Sequence, residues 1–118
     1  MNAAAARTIL VVDDDPLVLD YARNVLEDSG YTVLAAPDAA AALALLRDNA
    51  LIDLLFTDVV MPGLDGVELA RRAILERPDL KVLYTSGYAA DQMPAGRLLK
   101  KPYRPGQLAG EVADMLGN

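Results

Sequence analysis

Short apolar runs alternate along the chain with longer segments whose apolar residues recur at helical spacing. The runs are aliphatic and often β-branched, and an acid, a glycine or a proline follows each one closely. In the central stretch, residues 54–66, an apolar run ends abruptly at Asp58 and passes into a loop containing Pro62, Gly63 and Gly66. Strands that alternate with helices indicate a parallel sheet with helices on both faces.

The pattern predicts five strands and four helices in the order βαβαβαβ, then βα. Strands are predicted at residues 8–12, 31–35, 52–57, 81–85 and 97–100. Helices are predicted at residues 16–28, 39–49, 65–77 and 105–116.

Capping residues fix several helix ends in this prediction. Asp15 with Pro16 is a suitable start for the first helix, Gly30 a suitable stop, and Asp38 a suitable cap for the second helix. Residues 86–96 hold Gly87, Pro94 and Gly96 in a short span, so we expect a short helix or a mobile loop there.

Composition restricts the possible functions. The 118 residues suit one domain without linker or repeat, with an ordered core at about residues 7–116, and the net charge of −6 argues against direct nucleic-acid binding. Because the chain has no Cys and no His, any metal site must be built from oxygen ligands. No signal peptide or apolar stretch of membrane-spanning length is present, which predicts a cytoplasmic protein without a membrane partner.

Chemically active side chains follow four of the predicted strands. Asp13 and Asp14 follow the first strand, Asp58 the third, Thr85 lies at the end of the fourth, and Lys101 follows the fifth. Ligands of open α/β sheets bind at this carboxyl edge. Crowded carboxylates repel one another, and Mg²⁺ is a suitable counter-ion. A carboxylate beside Mg²⁺, a hydroxyl and an ammonium group makes a phosphoryl-transfer site.

Each of these residues also has an ordinary structural explanation. The aspartate run could be a solvated turn with a helix cap, Thr85 a plain strand residue, and Lys101 a surface lysine. Their coincidence at the ends of different strands favours a functional site.

Four segments of the chain resemble the response-regulator receiver domain of two-component signalling, of the single-domain or hybrid-kinase type. They are residues 9–15 (ILVVDDD), 58–66 (DVVMPGLDG), 84–88 (YTSGY) and 100–103 (KKPY), in the order of that family and across nearly the whole chain. The resemblance implies a flavodoxin-like, doubly wound, five-stranded parallel sheet of order 2-1-3-4-5. The family's fourth helix, between strands 4 and 5, is then expected to be short or disordered.

The resemblance also implies a role for each site residue. Asp58 would accept the phosphoryl group, Thr85 would be the switch hydroxyl, and Lys101 would pair with the phosphate and precede a cis peptide bond. The implied Mg²⁺ ligands are Asp13, Asp14, Asp58 and the backbone carbonyl of Val60.

The predicted function is a phosphoacceptor module of a phosphorelay. A histidine kinase or phosphotransfer protein would donate to Asp58, and a surface at residues 86–104, with Tyr88 and Tyr103 as aromatic markers, would then bind a downstream protein. Since Leu98 stands where the family often has an aromatic residue, we expect switching through order and disorder of residues 86–96. We also expect a monomer or weak dimer.

Turnover of external substrates is not expected. The chain would catalyse its own phosphorylation and only slow dephosphorylation, because Val60 and Gly87 offer no polar side chain to orient a water molecule.

Two other functions would use part of the same set of residues. A phosphatase of the haloacid-dehalogenase type would use Asp13 as nucleophile and Asp15 as acid and base, but Pro16 and Leu17 follow and the length leaves no room for a cap domain. A receiver fold used only for protein binding would not need the full set of acids, hydroxyl and lysine.

Overall fold

The computed structural model describes residues 7–87 and 96–117 of the chain. Within these residues the strands are β1 (Thr8–Val12), β2 (Thr32–Ala36), β3 (Leu54–Asp58), β4 (Lys81–Ser86) and β5 (Arg97–Lys100). The helices are α1 (Pro16–Asp28), α2 (Ala39–Asp48), α3 (Gly66–Glu76) and α4 (Pro105–Leu116). The strands form one parallel sheet in the order β2-β1-β3-β4-β5, which confirms the predicted topology.

Element bounds agree with the sequence pattern to within a few residues. The largest shift is in β3, which begins at Leu54 and includes Asp58, because its register runs Leu54 opposite Lys81 to Asp58 opposite Thr85 on β4. Asp58 is thus the last residue of a strand, whereas the pattern placed it just beyond the strand. The expectations for Tyr88 and for a short helix between β4 and β5 fall on residues 88–95, outside the described residues.

Aspartate side chains start three of the helices. Asp15 accepts hydrogen bonds from the amides of Leu17 and Val18, Asp38 from the amide of Ala41, and Asp65 from the amide of Glu68. Such caps satisfy amides that have no partner inside the helix. The predicted caps of α1 and α2 are confirmed, while Asp65 precedes α3 instead of being its first residue.

The sheet has two covered faces, because successive residues of a strand point to opposite sides. The α1/α4 face carries Ile9, Val11, Leu54, Phe56, Leu83 and Leu99, packed against the buried residues of α1 and α4. The α2/α3 face carries Leu10, Val12, Leu55 and Tyr84, packed against α2 and α3. No helix in the part of the chain that the structure describes is long and apolar enough to cross a membrane.

Candidate functional site

The site lies at the carboxyl edge of the sheet and continues the α1/α4 face. Asp13 and Asp58 each stand two residues after a side chain of that face, Val11 and Phe56 respectively. Thr85 and Lys101 likewise stand two residues after Leu83 and Leu99, which belong to the same face. The alternation of side chains along strands therefore delivers all four groups to one side of one edge.

A shared ammonium group links the two buried acids. The Nζ atom of Lys101 lies 2.8 Å from Oδ2 of Asp13 and 3.2 Å from Oδ2 of Asp58. Asp13 and Asp58 are only 3% and 7% exposed, so little water is available to stabilise either carboxylate. The other oxygen of Asp13 accepts a hydrogen bond from the amide of Asp15, at 2.9 Å. The ammonium group is thus the main counter-charge of two crowded acids.

Burial sets the electrostatics of Asp58. Desolvation raises the pKa of the Asp58 carboxyl above its ordinary value, and the charge of Asp13 adds to this rise. Lys101 and the backbone amide of Val60 act in the opposite direction without cancelling the effect. Burial by itself would lower the pKa of Lys101, but its contacts with Asp13 and Asp58 raise that pKa, so the lysine remains a cation.

Three acids are arranged so that they could hold a metal ion. One carboxylate oxygen each of Asp13, Asp14 and Asp58 lies within 4.8 Å of the others, and Asp14 is exposed. Oxygen-only ligands fit a hard divalent cation. Val60, half-exposed, lines the same depression, together with Met61, Pro62, Gly87 and Lys101. Ligation by the Val60 carbonyl stays a prediction.

Thr85 lies beside Asp58 on the neighbouring strand, paired with it in register. Its side chain is 1% exposed, and its hydroxyl has no hydrogen-bond partner among the residues that the structure describes. A buried hydroxyl without a partner is unfavourable, so a group that accepts its hydrogen bond at Asp58 would relieve that cost.

Gly66 holds the loop after Asp58 in place, a role that the sequence alone did not indicate. A Cβ atom on Gly66 would lie 2.0 Å from the carbonyl oxygen of Asp58, and the Gly66 amide donates to the carbonyl of Val59 at 2.8 Å. The start of α3 therefore rests directly on the backbone that carries Asp58, an approach that only glycine permits. A glycine just after the capping Asp65 was the available signal.

Tyr103 corrects the predicted partner surface. It was expected to mark that surface, yet it is only 8% exposed and packs against the rings of Phe56 and Tyr21. The expectation was wrong because the ring of Tyr103 packs into the apolar core of the α1/α4 face. The peptide bond between Lys101 and Pro102 is cis, as predicted.

Asp15 does not fit the role that a haloacid-dehalogenase phosphatase would need. Its carboxylate caps α1 through the amides of Leu17 and Val18. The structure therefore uses Asp15 as a helix cap.

The fold and the edge cluster define a flavodoxin-like α/β domain with acids, a hydroxyl and a lysine at the carboxyl ends of its strands. The model of the family "Response regulator receiver domain" matches residues 9–112, and the chain belongs to that family of two-component signalling domains.

Similar proteins agree with this membership. The chain is 36% identical over 117 residues to "Response regulator receiver protein CpdR" of Brucella abortus (strain 2308), covering 93% of this chain and 97% of that protein. It is 35% identical over 123 residues to "Sensor kinase CckA" of the same organism, covering 98% of this chain but 13% of the kinase.

Solved structures show the same fold. A CheY-like response regulator receiver domain protein from Methanospirillum hungatei JF-1 has a TM-score of 0.86 at 30% identity, covering 96% of this chain and 95% of that chain. The receiver domain from the hybrid histidine kinase CckA has a TM-score of 0.83 at 36% identity, covering 92% and 98%.

Proposed function

We infer that Asp58 accepts a phosphoryl group from the phosphohistidine of a histidine kinase or phosphotransfer protein, in the presence of Mg²⁺. The observation that carries this proposal is a buried strand-end carboxylate that shares a lysine ammonium group with a second acid, beside a cluster able to hold a cation. Family membership supports the same reaction class.

The proposed step is a transfer between two nucleophiles. A carboxylate oxygen of Asp58 attacks the phosphorus atom, the phosphorus–nitrogen bond breaks, and its electron pair stays on the departing imidazole, which takes up a proton. The product is an acyl phosphate on Asp58. Lys101, a cation within reach of that carboxylate, pairs with the phosphoryl oxygens, and Thr85 donates its hydroxyl, which has no partner among the described residues, to one of them.

The metal would be held by the carboxylates of Asp13, Asp14 and Asp58 and by the carbonyl of Val60. Bound there, Mg²⁺ would neutralise charge that develops on the phosphoryl oxygens. The oxygen-only ligand set and the crowding of three acids support this assignment.

The chain is proposed to act as a signalling module without external turnover. Phosphorylation would change a surface that a downstream protein reads, and the acyl phosphate would decay slowly, since Val60 and Gly87 place no polar side chain in the depression beside Asp58. The kinase and receiver relatives support a kinase as the upstream partner.

The phosphorylation test is measurement of intact mass after incubation with a small acyl phosphate and Mg²⁺. The wild-type chain should gain one phosphoryl group, and Asp58→Asn should gain none. Asp15→Asn is the matched control, because an asparagine caps α1 about as well as the aspartate does. Labelling of Asp58→Asn to the wild-type extent would show that the acceptor is another residue.

The metal assignment has its own test, by calorimetric titration with Mg²⁺ before phosphorylation. Asp14→Ala should weaken binding roughly tenfold or more, since it removes one carboxylate ligand from a site with few others. Asp15→Asn should leave the titration unchanged. An unaltered Mg²⁺ affinity in Asp14→Ala would remove this residue from the site.

A further inference from the structure

Thr57 is a polar residue in an apolar row of the sheet. It is completely buried, two residues after Leu55 and two before Val59, and both of these neighbours belong to the core of the α2/α3 face. Valine has nearly the same shape and would fill this position without a polar atom. Because burying a hydroxyl is unfavourable unless it forms a hydrogen bond, the bond that Thr57 makes needs an explanation.

The hydroxyl of Thr57 donates to the backbone carbonyl of Asp58, with 3.0 Å between the two oxygens. The register of β1 with β3 ends at Val12 opposite Thr57, so the Asp58 carbonyl lies beyond the last residue pair of these two strands. Gly66 covers this carbonyl so closely that a Cβ atom on it would lie 2.0 Å from the oxygen. Thr57 therefore supplies the donor that a covered carbonyl needs.

The peptide group between Asp58 and Val59 is held at both ends. Its carbonyl accepts from Thr57, and its amide, that of Val59, donates to the backbone carbonyl of Thr85 at 3.0 Å. The next carbonyl, that of Val59, accepts from the amide of Gly66 at 2.8 Å. Because a peptide group is planar, it cannot rotate without breaking one of these bonds.

The backbone of Val60 depends on the orientation of this peptide group. Its amide lies close enough to the Asp58 carboxylate to lower the pKa of that group, and its carbonyl is the proposed fourth metal ligand. Without the Thr57 hydroxyl, the Asp58 carbonyl would lose its donor, and the peptide group would rotate toward another one. Val60 would move with it, and small displacements at a reacting centre reduce rates strongly.

We propose that Thr57 is a positioning residue for the phosphorylation of Asp58. Its hydroxyl holds the peptide group after Asp58, and this peptide group sets where the Val60 backbone lies relative to the carboxylate and the acid cluster. Thr57 acts only through the backbone, because strand alternation places its side chain on the opposite face of the sheet from that of Asp58. This inference rests on the proposed function of Asp58.

The first test is the rate of phosphorylation by a small acyl phosphate at saturating Mg²⁺, followed by intact mass. Thr57→Val should react roughly tenfold more slowly than the wild-type chain, because the position of the reacting carboxylate is less well defined. Thr57→Ser keeps the hydroxyl and should react within about twofold of the wild-type rate. Thr32→Val is the matched control, since it makes the same exchange at an exposed position of the edge strand β2.

The second test is calorimetric titration with Mg²⁺ in the absence of a phosphoryl donor. Thr57→Val should bind the ion roughly three- to tenfold more weakly, and Thr57→Ser and Thr32→Val should bind it like the wild-type chain. Urea unfolding in EDTA measures stability separately, and a purely structural role of Thr57 would change stability but not the rate or the affinity of the folded chain. Thr57→Ala compared with Thr57→Ser repeats the test with smaller side chains, so the result does not depend on the folding of Thr57→Val.

The outcomes separate this inference from the function on which it rests. A wild-type chain that is not phosphorylated would overturn both. A phosphorylated wild-type chain would overturn the role of Thr57 alone if Thr57→Val and Thr57→Ala matched its rate and Mg²⁺ affinity, if Thr57→Ser were as impaired as they are, or if Thr32→Val showed an equal loss.

Discussion

The two faces of the sheet carry different residues near the site. On the α1/α4 face, Asp13, Asp58, Thr85 and Lys101 lie at or next to the ends of the strands. The rings of Phe56, Tyr21 and Tyr103 pack together on the same face. On the α2/α3 face, the row of β3 runs into Val59, and both Val59 and Met61 are buried in the apolar core with the residues of α2 and α3.

The α2/α3 face supports the site, and the α1/α4 face contains the groups that can respond to a ligand. The α2/α3 face anchors the loop after Asp58 through the apolar contacts of Val59 and Met61 and through Gly66. The α1/α4 face holds buried charges and, among the described residues, two buried hydroxyls without a hydrogen-bond partner, which are features that a ligand can rearrange. Substitutions on the α2/α3 face should therefore change stability, and substitutions around the site should change phosphorylation.

The largest effect is expected from a substitution that disrupts the contact between α3 and the Asp58 loop. Gly66→Ala forces a Cβ atom to within 2.0 Å of the Asp58 carbonyl, so either α3 or the Asp58 loop must move. We expect a loss of roughly 3 kcal/mol or more in the free energy of unfolding, and weak phosphorylation of the remaining folded chain. Urea unfolding and intact mass measure the two effects.

Gly110→Ala provides the control for Gly66→Ala. Gly110 lies inside α4, and a Cβ atom there meets nothing within 4 Å. This substitution should stabilise the chain by about 0.5–1 kcal/mol, because alanine is the better helix former. A Gly66→Ala chain as stable as Gly110→Ala would contradict the close approach of α3 to Asp58.

The next largest effect is expected from Arg77→Met, which should reduce stability without changing any residue of the site. Arg77 donates hydrogen bonds to the carbonyls of Leu46, Asn49 and Ala50 at the end of α2. Arg77→Met should cost about 1–3 kcal/mol of unfolding free energy, because it leaves helix-end carbonyls without a cationic donor. Phosphorylation under native conditions should remain at the wild-type level.

Arg72→Met is the matched control for Arg77→Met. Arg72 is about half-exposed and pairs with Glu68 on the surface of α3, where such pairs contribute at most about 1 kcal/mol. If Arg77→Met impaired phosphorylation as strongly as stability, the α2/α3 face could not be described as support alone.

A smaller effect tests the charge on the α1/α4 face. The pKa of Asp58 is raised in the folded chain, mainly by burial, above its ordinary value of 3.8. The folded state then holds the proton more tightly than the unfolded state, so ionisation of Asp58 lowers stability as pH rises through this range. In EDTA at neutral pH, Asp58→Asn should therefore melt at a higher temperature than the wild-type chain.

The pH dependence provides the check on that result. The advantage of Asp58→Asn should shrink as pH falls, because wild-type Asp58 becomes protonated, and it should vanish below the unfolded pKa. Thermal melts from neutral to acidic pH measure the difference. A gain that stays constant over this range would mean that the asparagine stabilises by packing and not by removing a buried charge.

The sequence predicted most of the fold because its signals are local and consistent. Apolar runs, aspartate caps and helix-stopping residues marked every described element, and the order of strands and helices fixed the parallel sheet. The same pattern predicted that Asp13, Asp58, Thr85 and Lys101 lie at one edge of the sheet.

What the sequence did not indicate depends on contacts between distant residues. The burial of Tyr103 follows from packing against Phe56 and Tyr21, and the requirement for Gly66 follows from the position of the Asp58 carbonyl. Neither contact has a periodic signal in the chain. The sharing of Lys101 between two acids likewise needed three-dimensional distances.

The smallest effect on stability is expected at Val60, which lies at the rim of the site on neither packed face. Its side chain is 48% exposed, so Val60→Asn should change the free energy of unfolding by less than about 0.5 kcal/mol.

Hydrolysis of an acyl phosphate on Asp58 needs a water molecule in line with the bond that breaks, and the depression offers no polar side chain from Val60 or Gly87 to orient it. An asparagine at position 60 could do so, and decay of phosphorylated Asp58 should accelerate roughly ten- to a hundredfold. Intact mass followed over time measures the decay, with Val60→Ile as the apolar control of similar size. Equal decay in the two variants would show that a side chain at this rim position does not set the lifetime.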